Sequence, residues 1–129
     1  MVIDSTFLDD LTAQAKGSNR LRQSYDLRTT PNDSSQRILN AIEPGTVMAI
    51  HRHLNSTETV TCIRGCFREL FYNNEGALMS DVIVKPGIVV NVPIGQWHNL
   101  ESLESGTVLL SCKDGAYAPL KPEEIWENK

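Results

Sequence analysis

The stretch His51-Arg52-His53-Leu54-Asn55-Ser56-Thr57-Glu58 places two histidines on either side of an arginine and a glutamate after a short polar segment. If this stretch begins as a strand, its side chains alternate between two faces, so His51 and His53 project the same way, about 6.5–7 Å apart. Arg52 then faces the other side and binds no metal. Two imidazoles and one carboxylate are a ligand set for a divalent metal. An ordinary polar strand end is the alternative that these eight residues leave open.

The third histidine, His98, follows a tight turn, Pro93–Trp97, at the end of an apolar segment. All three histidines of the protein therefore lie in two places in the chain. Glycine in such turns reaches positive φ without a steric clash, and Pro93 fixes φ, so the turn is expected to aim the side chain of His98.

The rest of the chain predicts an all-β fold with one short N-terminal helix. Apolar residues at helical spacing lie between Asp4 or Ser5, which can cap a helix, and Gly17, which can end it. Pro122 allows at most one or two helical turns near the C-terminus. Short β-like segments recur about every 8–12 residues between turn residues, which is typical of a sandwich or barrel. These segments are Gln36–Ile42, Val47–His53, Thr59–Ile63, Phe67–Tyr72, Asp81–Val84, Ile88–Val92 and Thr107–Cys112.

Composition excludes several classes of function. A chain of 129 residues fits one domain, and its net charge of −4 argues against nucleic-acid binding, which needs a basic surface. The apolar runs are too short to span a bilayer, and the N-terminus has no pattern of a secretory signal. Three cysteines suggest no disulfide framework. We therefore expect a reduced, cytoplasmic protein that does not bind membranes.

Two sequence patterns resemble the conserved motifs of the cupin superfamily. The chain resembles the first motif at Gly45, His51-Arg52-His53, Glu58 and Gly65, which are separated by five, four and six residues. Gly87, five residues, Pro93-Ile94-Gly95, two residues and His98 resemble the second, although Ser102 stands where that motif has a non-ligand asparagine. The resemblance implies one cupin domain over 1–129: a helix in 1–17, a small jelly-roll β-barrel over 36–112 and a tail over 113–129. It also implies that His51, His53, Glu58 and His98 bind one divalent transition metal per chain, with Fe, Mn, Ni, Co or Zn suited to that donor set.

A narrower resemblance is to the WbuC-type cupin-fold metalloproteins. It is carried by Arg20-Leu21-Arg22, by 33–37 (DSSQR), by Gln96-Trp97-His98 and by 113–119 (KDGAYAP). That group is associated with O-antigen and surface-polysaccharide gene clusters, which implies a small sugar-like or anionic substrate.

The ligand set does not choose between functions. Open coordination positions suit a dioxygenase, a Lewis-acid isomerase or epimerase, or a hydrolase, whereas zinc in a closed tetrahedron would be structural. The alternative function is a non-catalytic module in which the metal stabilises the barrel and the pocket binds a saccharide or another small molecule. A third hypothesis is a structural barrel that forms a homodimer through its strand edges or its helix.

Several residues are candidates for contacts with a small-molecule ligand in the barrel. Three arginines around Tyr25 form a local positive patch, either a lid that binds an anion or a solvated or intersubunit segment. Strand alternation from Glu58 points Arg64 inward, where it needs an anionic partner, unless the alternation breaks near Gly65. The candidates are Arg20, Arg22, Tyr25, Gln36, Arg64, Trp97, Lys113 and Tyr117.

Overall fold

The computed structural model describes residues 1–127 and contains one α-helix, eight strands and one 3-10 turn. Asn128 and Lys129, the end of the predicted tail, lie outside the described residues. The elements are α1 (Ser5–Lys16), β1 (Arg22–Asp26), β2 (Ser35–Ile42), β3 (Glu58–Arg64), β4 (Phe67–Tyr72), β5 (Leu78–Val84), β6 (Val89–Val92), β7 (Trp97–Ser102), β8 (Val108–Asp114) and the 3-10 turn Pro122–Glu124.

The strands form two antiparallel sheets, which confirms the all-β prediction. The larger sheet has the order β1-β2-β8-β3-β6 and the smaller one β5-β4-β7. The sheets are not closed into one continuous barrel. An isolated bridge between His51 and His98 is the contact through which the segment before β3 pairs with the smaller sheet.

The larger sheet has a hydrophobic cluster on each face. On the outer face, Leu8, Leu11 and Ala15 of α1 pack against Leu39, Ala41 and Val108. Between the sheets, Ile42, Val60 and Leu109 pack against Phe67 and Val84 of the smaller sheet. Alternate residues of β2 and β8 thus serve two layers, one under the helix and one inside the fold, as strand geometry requires.

The helix begins and ends as the sequence predicts. The side chain of Asp4 accepts a hydrogen bond from the backbone N–H of Phe7 (3.1 Å), and Gly17 is the C-cap. At 12 residues, α1 is too short to span a bilayer, and no helix within residues 1–127 is long and apolar enough to do so. The 3-10 turn at Pro122 confirms the prediction of a short helical turn in the tail.

One predicted strand is wrong, and two strands were not predicted. The segment Val47–His53 has no regular ladder, because its backbone groups bond to different partners in turn: the N–H groups of His51 and Arg52 donate to the carbonyls of His98 and Glu124. β1 lies in the arginine-rich segment that the sequence predicts as a lid or as a solvated or intersubunit segment, and β7 begins at the end of the turn Pro93–Trp97. Both segments carry polar residues that mask the strand pattern.

Candidate metal centre

Four side chains from three parts of the chain converge between the sheets. His51 and His53 lie on the irregular segment before β3, Glu58 is the first residue of β3, and His98 lies in β7. One potential ligand atom from each lies within 4.8 Å of all the others. The four predicted ligands are therefore the ones that the fold brings together.

Backbone hydrogen bonds lock the two motifs to each other. The N–H groups of His51 and His98 donate to each other's carbonyl oxygens, at 3.0 and 2.8 Å. The N–H of Gly95, in the turn before His98, donates to the carbonyl of His53 at 2.8 Å. The turn therefore holds the segment with the first two ligands directly, and its geometry sets where three of the four ligand side chains lie.

The donor atoms fit a metal ion. Glu58 Oε1 lies 3.5 Å from both His53 Nε2 and His98 Nε2, too far for a good hydrogen bond. Those two nitrogens are buried and have no hydrogen-bond partner among the described residues. His51 Nδ1 lies 2.9 Å from the carbonyl oxygen of Ala49, which leaves its Nε2 available. Unsatisfied buried nitrogens around a carboxylate are costly without a cation and become ligands with one.

The protonation states also suit a metal. Burial, with the nearby His98 adding to its effect, lowers the pKa of His51 to about 4. Burial likewise lowers the pKa of His98 to about 4, so both imidazoles are neutral near pH 7. Burial would raise the pKa of Glu58, but its contact with His53 and the charge of Lys113 hold that pKa well below its ordinary value. Neutral imidazoles and an ionised carboxylate are the forms that bind metals.

Glu69 is a site residue that the sequence interpretation missed. It lies on β4, is 1% exposed, and its Oε1 is 2.8 Å from His98 Nδ1, on the opposite side of that imidazole from Glu58. Burial, with the charge of Glu58 adding to it, raises the pKa of Glu69 to about 9. The sequence carried a signal: Glu69 stands between Phe67 and Phe71 at an inward position of a strand, where a carboxylate needs a partner.

A cavity of about 480 Å³ opens beside the four ligands. Its size lies within the range of small-molecule sites. The inner face of the larger sheet forms one wall, and the exposed segment 115–121 lies along its mouth. Four of the predicted ligand-contacting residues line it: Arg22, Gln36, Lys113 and Tyr117.

The structure places Arg20 and Tyr25 away from the cavity. Arg20 is exposed, before β1 begins. Tyr25 pairs with Leu39 on the face of the sheet covered by α1, and its ring packs edge-on against Phe7 at 5.0 Å.

Arg64 and Trp97 also lie outside the cavity. A register shift between Cys62 and Arg64 turns Arg64 toward the helix, where it donates to Asp9 (2.7 Å) and Thr12 (3.0 Å). This shift is the break in alternation that the sequence left open. Trp97 is buried against Trp126, with the guanidinium of Arg52 4.3 Å from its ring centre, so Arg52 does face away from the ligand cluster.

Comparison with protein families gives a match over residues 3–84 to a family described as "Domain of unknown function (DUF6016)". The matched residues include α1, the first motif and β5, and span more than half of the chain. The chain belongs to the DUF6016 family. No curated protein matches this DUF6016 protein significantly.

Solved structures similar to the DUF6016 protein include three with the cupin fold, which confirms the predicted cupin jelly-roll fold. KdgF from Halomonas sp. matches with a TM-score of 0.61 and 16% identity, over 73% of this chain and 80% of that one. Recombinant oxalate oxidase in complex with glycolate matches with a TM-score of 0.65 and 13% identity, over 79% and 55%. A mutant of Bacillus subtilis oxalate decarboxylase matches with a TM-score of 0.59 and 22% identity, over 74% of this chain but 25% of that one. At these identities the likeness concerns the fold alone.

Proposed function

We propose that this DUF6016 protein is a metal-binding cupin in which one divalent transition metal, held by His51, His53, Glu58 and His98, binds a small anionic or sugar-like molecule in the adjoining cavity. The observation that carries the proposal is the pair of buried, unpartnered Nε2 atoms of His53 and His98, both facing one carboxylate oxygen. Together with the neutral imidazoles of His51 and His98, this arrangement is a ligand set prepared for a cation.

The proposed activity is that of a metal-dependent isomerase or epimerase, or of a dioxygenase. When bound, the ion would supply either Lewis-acid polarisation or a redox centre. The chain's own residues provide the rest. Ser111 donates to Glu58 Oε2 at 2.5 Å and Glu69 contacts His98, so each supports a ligand from outside the cluster. Lys113 adds a positive charge at the wall of the cavity.

The biological setting is part of the proposal. The resemblance to WbuC-type proteins supports a role in cytoplasmic surface-polysaccharide metabolism. Two apolar side chains on the edge strand β5 are exposed, Leu78 to 55% and Met79 to 66%. They support a homodimer, since open edges favour pairing with another strand.

Elemental analysis tests the proposal most directly. Protein purified without chelator, both anaerobically and in air, should carry about one equivalent of a transition metal per chain. Iron that is lost or oxidised in air, with oxygen-dependent turnover, would identify a dioxygenase. Nickel, cobalt, manganese or zinc with oxygen-independent turnover would identify an isomerase or epimerase. Metal and ligand binding with no turnover over a broad substrate panel would identify the non-catalytic binding module.

A matched pair of carboxylate variants controls this measurement. Glu58→Gln keeps the shape of the side chain but removes the charge, and it should reduce metal content well below one equivalent. Glu101→Gln makes the same change at an exposed position of β7 and should leave metal content unchanged. Equal metal content in the two variants would contradict the proposed ligand set.

A further inference from the structure

The side chains of two half-buried cations on the wall of the cavity form no hydrogen bond or ion pair within residues 1–127. They are Arg22, which has no charged neighbour in its ladder, and Lys113, whose charge acts on Glu58 across the strand without a direct contact. Burying a charge without a counter-charge is costly, so a half-buried cation is normally paired. Arg22 can therefore contact an anion that the chain does not supply, and Lys113 can contact one beside Glu58, the carboxylate that a metal would engage.

Five other arginines have a side-chain partner within the described residues. Arg28, Arg37, Arg64 and Arg68 each form an ion pair with an aspartate. Arg52 donates to the carbonyl of Glu123 and lies over the ring of Trp97. Among the described lysines, all except Lys113 are exposed. Within residues 1–127, Arg22 and Lys113 are thus the half-buried cations whose side chains make no direct polar contact, and both line the same cavity.

The two cations lie at opposite ends of the cavity wall. Lys113 pairs with Glu58 across one side of β8 and with Gln36 across the other, which places it beside the metal centre. Arg22 pairs with Ile42 of β2. Ile42 lies six residues after Gln36 on that strand, which is a distance of roughly 20 Å. Because both side chains are long, their charged groups can approach each other over part of that distance, and a ligand that contacts both must be elongated.

The backbone before Arg22 is held in an unfavourable conformation. Leu21 has φ 57°, the one positive φ of a non-glycine residue within residues 1–127. Its carbonyl accepts hydrogen bonds from Glu43 N–H (2.9 Å) and Thr46 Oγ1 (2.8 Å), which hold it there. Strain of this kind persists where surrounding contacts over-determine it, and it collects at binding sites. Here it sets the start of β1, and with it the face on which Arg22 lies.

Neutral polar groups lie on the same wall. Asn40 lies between the two cations on the inner face of β2, and Gln36, whose Nε2 donates to the carbonyl of Gly115, keeps its Oε1 available. Amide groups bind hydroxyls as donors and acceptors. The wall therefore offers a cation, hydroxyl-binding amides and a second cation, in that order from the metal.

We propose that the cavity binds an elongated polyhydroxy dianion, with a carboxylate at the metal beside Lys113 and a second anionic group, carboxylate or phosphate, at Arg22. This inference rests on the proposed function, because the first carboxylate requires the metal. Each end of the ligand is assigned to one cation. Each contact can therefore be removed separately, either by substituting the cation or by choosing a ligand without that anionic group.

The test is calorimetric binding to metal-loaded protein whose metal content has been measured first. The probes are D-glucarate, with a carboxylate at each end, 6-phospho-D-gluconate, with a carboxylate and a phosphate, D-gluconate, with one carboxylate, and D-glucitol, with none. At least one dianion should bind about 10-fold or more tightly than gluconate, since each charge-assisted hydrogen bond is worth about 1.5–3 kcal/mol. Glucitol should bind weakest. Whichever dianion binds more tightly identifies the second group as carboxylate or phosphate.

Variants of the two cations assign the ends. Arg22→Gln should weaken dianion binding about 10-fold and change gluconate binding less than about 2-fold, whereas Lys113→Gln should weaken both by about 10-fold. Lys85→Gln, at an exposed turn, controls for net charge, and Arg20→Gln distinguishes a contact by Arg22 from general attraction to the arginine-rich segment. Neither of these two variants should change the affinities.

The outcomes separate this inference from the proposed function. If the protein binds one metal but neither dianion binds more tightly than gluconate, or if Arg20→Gln has the effect expected of Arg22→Gln, the inference is wrong and the metal site stands. If no metal binds, the proposed function fails and the inference fails with it. Circular dichroism and metal analysis of each variant serve as controls that the fold and the metal centre are retained.

Discussion

Replacing Glu69 by glutamine should change how the stability of the metal-free protein depends on pH. Glu69 is 1% exposed, and burial raises its pKa from 4.5 to about 9. Between these values the folded protein keeps a proton that the unfolded chain has released. Stability contributed by the neutral acid is therefore present at low pH and is lost as pH rises toward 9.

The histidines act in the opposite sense and over a different range. Because burial lowers the pKa of His51 and of His98 from 6.5 to about 4, the unfolded chain binds more protons than the folded one in that interval. Stability contributed by the neutral imidazoles is present above pH 6.5 and is lost as pH falls toward 4. The two effects together place the maximum stability of the metal-free protein near pH 6.5.

Above pH 6.5 the effect of Glu69 on stability can be measured separately from that of the histidines. From pH 6.5 to 9 its ionisation should cost about 3 kcal/mol, since each pKa unit corresponds to about 1.4 kcal/mol. For a domain of this size the melting temperature should fall by roughly 10 °C over that range. In Glu69→Gln the ionisable group is absent, so the melting temperature should be nearly flat there.

Thermal melts of chelator-treated protein between pH 5 and 9 measure this directly. Glu101→Gln, an exposed carboxylate variant, should behave as the parent protein. A flat profile for the parent protein above pH 6.5, or an unchanged decline in Glu69→Gln, would refute the reasoning. In metal-loaded protein, Glu69→Gln should also lower metal affinity about 10–100-fold, because groups that orient a ligand histidine tune its binding.

Three further changes test other parts of the structure. Chelation should lower the melting temperature at pH 7, and one equivalent of metal should restore it, because binding to the folded state alone stabilises it; an unchanged melt would argue against a resident ion. Gly95→Val should displace His98 and reduce metal content, because φ at Gly95 is +80° and valine does not tolerate that conformation. Gly95→Asn should retain metal, because asparagine tolerates positive φ. Normal metal content in the valine variant would show that the turn does not position His98. Arg64→Met should destabilise the protein by about 1–2 kcal/mol in denaturant titrations through loss of its bonds to Asp9 and Thr12, with no change in metal affinity; a metal defect would place Arg64 in the site after all.

The residues of the candidate metal centre could be predicted from the sequence because local constraints specify their spacing. Gly45 and Gly65 frame the first three candidate ligands, and both have positive φ. At Gly65 even a Cβ atom would lie 2.6 Å from Cα of Thr107, so the residue type is fixed by contact as well as by conformation. Such residues leave a spacing in the sequence that can be recognised without a structure.

The substrate wall was only partly predictable, because it depends on the side of each strand. Arg22 and Tyr25 were grouped as one patch, yet they lie three residues apart on β1 and so face opposite sides of the sheet. Alternation from Glu58 points Arg64 inward unless it breaks near Gly65, and the shifted register at the end of β3 turns Arg64 outward. Alternation predicts a face only while the ladder is regular, and a sequence gives little warning of where a bulge will interrupt it.

The role of Glu69 illustrates what pairing between strands adds. In the β4–β7 ladder, Phe71 lies opposite His98, and Glu69 lies opposite Leu100. Glu69 is therefore the diagonal neighbour of His98 on the same face, close enough for the 2.8 Å contact between Oε1 and Nδ1. If β4 slipped by two residues against β7, all side chains would keep their faces, but His98 would lose this contact. The hydrophobic pattern of β4 would be satisfied by either register, so the pattern alone cannot show which residue supports the histidine. The contact is decided by the turns at both ends of β4 and by the bonds that fix His98 to His51, which only the assembled fold brings together.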